Sequence, residues 1–236
     1  MHYPWIRSVT KARQIPGISS NLVFHWAFDR PNGNIIEADT GPRSVNFTGQ
    51  WINDSGNNWA VRLDTTTGAS TQGPVLYGSD AITVKFRFRP LSYESGGAGR
   101  NLVSGGAGST YFSIYNNYNK LIFVTGDTGS SQANIGSANS LFPVGYWYEV
   151  VATFTTRSFP YATGAGISAG GNIARIWVNG VARTPSTENT GGAMYGNWFG
   201  HGPVTIGTTT GSGGFNCDLD YIKIFSGYQS YPLGNP

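Results

Sequence analysis

Residues able to do acid, base or nucleophilic chemistry are sparse in this chain. It has only four glutamates, Glu37, Glu94, Glu149 and Glu188. No two stand near each other in sequence, so no local carboxylate pair supplies the acid and base of glycoside cleavage. Gly166-Ile-Ser-Ala-Gly170 carries the letters of a nucleophile elbow, but that turn joins a strand to a helix. Here a glycine-rich stretch precedes it and a strand-like run, Ile173 to Val178, follows. Gly164-x-Gly166-x-x-Ala169 fails as a dinucleotide loop for the same reason. His2, His25 and His201 are widely spaced and Cys217 is the sole cysteine, so no zinc set can be read and no internal disulfide can form. His25 reads as a sheet residue and Cys217 as a small apolar packing group. No catalytic residue is assigned, and the sequence predicts a protein that is not an enzyme.

Binding chemistry is better represented. Lys85, Arg87 and Arg89 alternate along one strand-like run, so they project from one sheet face. Arg175 and Trp177 do the same on another. If these rows adjoin, a concave sheet presents a basic face with an aromatic platform, suited to an anionic polysaccharide or an acidic protein partner. The plainer alternative is a solvated face with ordinary cross-strand pairs. A second candidate is the loop Met194-Tyr-Gly-Asn-Trp-Phe-Gly-His201, where Tyr195, Trp198 and His201 stand among glycines. Its aromatics stack on a sugar, enter a neighbouring subunit or fold back as a lid. Residues 1–20 place Trp5, Arg7, Lys11 and Arg13 among prolines and glycine. With neither strand nor helix period, they read as an extended basic arm. It either lies along the domain or docks on a partner with Trp5 as anchor.

The elements that position these residues are strands. The 236 residues include 34 Gly and 12 Pro, with 14% aromatic and 11% charged, against about 25% charged in an average soluble chain. Such a composition favours an all-β domain with tight turns over a helical bundle or a doubly wound α/β fold. Ile82-Thr-Val-Lys-Phe-Arg-Phe88 alternates strictly, with Ile82, Val84, Phe86 and Phe88 inward. Tyr146 to Phe154 is a longer apolar run, as expected of a strand covered on both faces. Ala174 to Val178 leads into Asn179-Gly180, a strong hairpin signal. Tyr111 to Tyr115, Leu121 to Val124, Val204 to Ile206 and Leu219 to Phe225 are further strands. Stretches rich in Gly, Ser, Thr and Asn at 95–109, 125–140, 162–172 and 207–214 read as connections. The organisation expected is an arm over 1–20, one sandwich over 21–226 and a tail over 227–236. No apolar run approaches the ~18 residues of a bilayer crossing, so no membrane partner is expected. The net charge of +3 is too small and scattered to suggest nucleic acid.

The order of these motifs resembles laminin-G-like domains. Leu22-Val-Phe-His-Trp-Ala-Phe-Asp29 followed by Ala38-Asp39-Thr-Gly41 is similar to the family's opening strand and loop. Val61-Arg-Leu-Asp64 and Ile82 to Pro90 resemble the next core strands. Gly145-Tyr-Trp-Tyr-Glu-Val-Val-Ala152, Ile176-Trp-Val-Asn-Gly-Val181 and Asp218-Leu-Asp-Tyr-Ile-Lys-Ile-Phe225 resemble three later ones. The resemblance implies a two-sheet antiparallel jelly-roll sandwich of the concanavalin A-like kind, here with an extended N-terminal arm. That superfamily hosts glycosidases, lyases, lectins and structural modules, so fold alone does not choose among them. Its Glu-x-Asp-x-x-Glu glycosidase strand is not completed here, because Glu37-x-Asp39 is followed by Pro42. Many relatives hold calcium through loop aspartates and carbonyls, which the resemblance transfers to Asp39, Asp218 and Asp220. No other cofactor is implied.

A surface-type sandwich with a basic arm, an initiating Met, no secretory signal and no disulfide leads to one functional expectation. The chain is read as a structural or adhesion protein of a virus particle, a tailed-phage capsid decoration or tail-associated subunit. Its arm would dock on capsid or other virion proteins, with dimer or trimer contacts. The alternative is an extracellular carbohydrate-binding module or lectin excised from a larger secreted protein.

Overall fold

Strict alternation in Ile82–Phe88 sets the plan of the molecule, because it forces one face of that strand inward and the other outward. The computed structural model describes residues 21–54, 58–75, 81–92, 100–107, 110–117, 120–126, 131–135, 142–155, 173–183, 187–190, 202–208 and 214–227. Among these there is no helix. The first strands are β1 (Asn21–Trp26), β2 (Ser44–Val45), β3 (Gln50–Asn53), β4 (Trp59–Leu63), β5 (Gly68–Thr71), β6 (Ala81–Pro90), β7 (Arg100–Ala107) and β8 (Thr110–Asn117). Then come β9 (Lys120–Gly126), β10 (Ser131–Ile135), β11 (Tyr148–Thr155), β12 (Ile173–Val178), β13 (Val181–Arg183), β14 (Thr187–Thr190), β15 (Val204–Gly207) and β16 (Cys217–Ser226).

Two antiparallel sheets result. The first runs β13-β12-β11-β6-β16-β4-β3, with β1 alongside the second half of β16. The second runs β14-β10-β9-β8-β7-β15-β5-β2. Their apolar faces meet in one core that joins Phe24, Val84, Phe86 and Ile222 of the first sheet to Leu102, Phe112, Ile114 and Ile206 of the second. The expected jelly-roll sandwich is the fold observed. Phe88 centres an aromatic cluster, with ring centroids 5.5 Å from Phe142, 5.6 Å from Phe86, 5.9 Å from Tyr148 and 6.1 Å from Phe215.

The Asn179-Gly180 hairpin forms as read: Val178 pairs with Val181, and both turn residues have positive φ, +50° and +78°. This is the backbone that a two-residue turn demands. The Tyr146–Phe154 run is corrected at its start. Tyr146 is exposed, and the strand begins at Tyr148. From Val150 to Thr153 both faces are buried, as expected.

Two stretches read as connections contain strands instead: residues 95–109 hold β7 and 125–140 hold β10, which pairs with β14. In β7 the reason is specific. A Cβ on Gly105 would lie 2.5 Å from the Phe112 ring, so the glycine marks close packing between paired strands rather than a turn. Strands β10 and β14 pair in register from Ser131 with Thr190 to Asn134 with Thr187. Their sequences carry no alternating apolar signal from which the pairing could be read. Truncating Phe88 to Ala should therefore cost about 3–5 kcal/mol, as for a large aromatic lost from a packed core; urea unfolding of the variant checks this.

Candidate functional site

The outward side of β6 presents Lys85, Arg87 and Arg89, the phase opposite to its buried Val84, Phe86 and Phe88. Across from them β16 contains a bulge. Leu219 pairs with Phe88, but Tyr221 pairs with Arg87, so Asp220 is the extra residue. The bulge shifts the strand's phase. It lets Asp218 and Asp220 face outward before it, and Tyr221 and Lys223 after it, while Leu219, Ile222 and Ile224 all stay in the core.

A charge-matched network fills this face. Asp218 has no exposure, yet its carboxylate points to the outward side. Arg62 Nε and Nη2 donate to its two oxygens at 2.7 and 3.1 Å, and Arg89 Nε and Nη2 donate at 2.9 and 2.7 Å. Arg89 Nη1 also donates to Asp54 at 2.6 Å, and Trp147 Nε1 donates to the other Asp54 oxygen at 2.6 Å. The indole is thereby pinned, with the guanidinium carbons of Arg87 and Arg89 only 4.6 and 4.7 Å from the ring centre, a cation–π arrangement. Arg87 donates to Asp220 at 2.6 Å. Lys85 Nζ lies 2.9 Å from Glu149, and the Tyr221 hydroxyl donates to the same Glu149 oxygen at 2.5 Å.

Protonation states follow from these contacts. Burial alone would raise the Glu149 carboxyl, but the hydrogen bonds from Tyr221 and Lys85 outweigh it and hold the group below the ordinary range. Burial and the neighbouring Glu149 push the Tyr221 phenol well above its usual value. Burial and Lys223 pull the His25 imidazole down. Its Nδ1, 3.2 Å from Asp39, is then a neutral donor rather than half of an ion pair. Burial and Lys85 also lower Lys223.

Against the sequence reading, the basic row of Lys85, Arg87 and Arg89 is where it was expected, but it is not a free basic face. Each cation is answered by a carboxylate from a neighbouring strand or loop. The row does adjoin the other strand, through Lys85 opposite Val151 and Val151 opposite Trp177. Trp177 is only 9% exposed and offers no aromatic platform. Arg175 keeps its register position opposite Thr153; its side chain lies outside the described residues. So do Tyr195, Trp198 and His201, and the whole arm with Trp5, Arg7, Lys11 and Arg13.

The three acids named for calcium are not brought together among the described residues. Asp39 stands beside His25 and Arg30, at the opposite end of β16 from Asp218, and Asp218 and Asp220 are occupied by arginines. Among the described residues no three His, Cys, Asp or Glu side chains converge on a common point. Guanidinium groups fill the acceptor positions that a hard cation would need.

Sequence reasoning missed Asp54, Arg62, Trp147, Glu149, Tyr221 and Lys223 as members of this face. It also missed Tyr146, which is 67% exposed and immediately precedes Trp147 in the chain. The Tyr221-Ile-Lys223-Ile alternation carried a signal, but its phase conflicts with Asp218-Leu-Asp220 unless a bulge is inferred. Replacing Asp218 with Asn should cost at least ~3 kcal/mol at neutral pH, because two arginines lose a fully buried partner; chemical denaturation measures it.

Residues 63–230 match the family model of laminin-G type described as the concanavalin A-like lectin/glucanases superfamily. No curated protein sequence matches the chain. Several solved structures are similar at low identity, which bears on fold alone. Domain 4 of an extracellular arabinanase from Geobacillus stearothermophilus, solved with arabinotriose, is 15% identical with a TM-score of 0.56, covering 89% of this chain and 95% of that one. The botulinum neurotoxin serotype G binding domain is 14% identical with a TM-score of 0.60, covering 89% of this chain. A Trypanosoma rangeli sialidase is 13% identical with a TM-score of 0.56, again over 89% of this chain. The likeness spans 49% of the neurotoxin binding domain and 31% of the sialidase. With two antiparallel sheets packed as described and a match extending over more than half its length, the chain belongs to the laminin-G-type family of the concanavalin A-like lectin/glucanases superfamily.

Proposed function

We propose that this chain is a non-catalytic binding module whose outward β6–β16 face recognises carbohydrate. The observation that carries the reading is the charge-matched network around Trp147. Asp54, Glu149, Asp218 and Asp220 are all tied to cations, which leaves none of them poised as a free general acid or nucleophile. The same ties hold planar guanidinium and indole groups rigidly at a surface, and fixed groups of this kind favour ligand recognition by lowering its ordering cost. Arg62 and Arg87 keep 41% and 38% of their side chains exposed, so their remaining N–H groups are available to sugar hydroxyls. Tyr146, which precedes Trp147 in the chain, supplies an exposed aromatic ring. That a similar arabinanase domain was solved with arabinotriose is consistent with this reading.

The finer reading places the module on a virus particle, as an adhesion or decoration subunit of a tailed phage. Support comes from the sequence ahead of β1: a tryptophan-bearing basic segment, Trp5 to Arg13, suited to docking on virion proteins. A fold whose only cysteine is buried also needs no oxidising compartment. An extracellular lectin cut from a larger secreted chain is the competing placement.

Two experiments test these levels separately. In a glycan screen, R87A and Y146A should each weaken the best ligand about tenfold, a loss of roughly 1.4 kcal/mol, without lowering the melting temperature by more than a few degrees; unchanged affinity in both removes this face from consideration. In a density gradient of the native source, the chain should travel with capsid protein at fixed stoichiometry. Deleting residues 1–20 should abolish that association and leave glycan binding intact. Recovery only as free protein sinks the particle placement.

A further inference from the structure

Among the described residues, every cation on the β6–β16 face is paired directly with a carboxylate except Lys223, on which Glu149 and Asp39 act only from beyond salt-bridge distance. Lys223 lies on β16 directly opposite Lys85 on one side and His25 on the other. Lys85 and Lys223 are like charges placed directly across a strand pair and oppose one another, and the half-buried position of Lys223 raises that cost. Lys85 is relieved by Glu149 at 2.9 Å. Asp39, the other nearby acid, is engaged by His25 at 3.2 Å and Arg30 at 3.3 Å. The Lys223 ammonium lies 5.3 Å from the centre of the Tyr221 ring, and that of Lys85 5.9 Å from the same centre. Two ammonium groups thus share one aromatic neighbour with a single carboxylate between them.

Such an arrangement is unfavourable for the empty protein and favourable for an incoming anion. Adjacent strands stand about 4.8 Å apart, so one oxyanion can be reached by both lysines. We propose that Lys223, together with Lys85, forms an oxyanion subsite on the glycan-binding face, which takes the carboxylate or sulfate ester of an acidic polysaccharide. The inference rests on the reading of that face as a carbohydrate site and deepens it to a ligand class. The anion supplies the negative charge that the sheet lacks at this point, and the neutral remainder of the sugar lies toward Arg87. Lys223 is retained at a cost in stability, a pattern expected of a residue kept for binding rather than for the fold.

The test compares matched probes on the full chain. Tetragalacturonate and its methyl ester differ only in charge, dextran sulfate fragments and dextran form a second pair, and calorimetry or affinity electrophoresis reads each against wild type, K223M and K223R. The expected result is at least tenfold tighter binding of an acidic member than its neutral partner. K223M should lose that preference, K223R should keep most of it, and K223M should melt at or above the wild-type temperature because the opposed charge is gone. A preference confined to the sulfated pair assigns sulfate esters, and one confined to the uronate pair assigns carboxylates. Equal binding of acidic and neutral members, or a preference untouched in K223M, overturns the inference while leaving the sugar-binding reading standing. If no probe binds, neutral or acidic, the reading of the face itself is overturned and the subsite with it.

Discussion

A carboxylate without contact with water must be met by cations, and on this protein the buried Asp218 imposes that condition on the outside of a sheet. Arg62 from β4 and Arg89 from β6 both converge on it. Arg89 passes the constraint to Asp54 beyond β3, and Asp54 passes it to Trp147 ahead of β11. One desolvated charge therefore ties segments of the chain that are remote in sequence, and it does so on the side away from the apolar core. Replacing such a group with apolar packing is often no loss in stability. Its clearest effect here is on registry. With Asp218 held by two strands, β16 cannot slip against β6, and the bulge at Asp220 stays where both acidic and basic residues can face outward.

That rigidity favours the proposed recognition role over a catalytic one. A catalytic carboxylate needs a proton affinity tuned toward neutrality and access to a reacting atom. Glu149 is driven the other way by Tyr221 and Lys85. The face instead resembles a set of preset hydrogen-bonding groups around a clamped indole. On the proposed reading, the imbalance at Lys223 gives that recognition a direction. The family's shared fold leaves this open, since a sandwich of this kind supplies surfaces and loops but fixes none of the chemistry on them.

Much of this architecture is legible in the amino-acid order. Ile82–Phe88 announces its buried side through strict alternation, and Asn179-Gly180 announces a hairpin because few other pairs accept its backbone. The basic row on β6 is equally plain. The partners of that row are not, because pairing between β6 and β16 joins residues more than a hundred positions apart, and the bulge at Asp220 erases the phase from which facing side chains are normally inferred. Strand β7 escapes notice for a related reason. Its glycines look like turn residues until Phe112 is seen packed over Gly105. Trp177 misleads in the opposite sense. Its outward phase was correct, yet that side of β11 and β12 is covered, as Val151 and Thr153 also indicate.

The lone cysteine gives this sheet an internal clock. Cys217 opens β16 with no exposure, between Leu63 of β4 and Pro90 of β6, and it immediately precedes Asp218. A thiol shut in at that point meets a reagent only while β16 has parted from its neighbours. Its rate of alkylation consequently counts the openings of the strand on which the outward charge network is built, and does so without an engineered thiol.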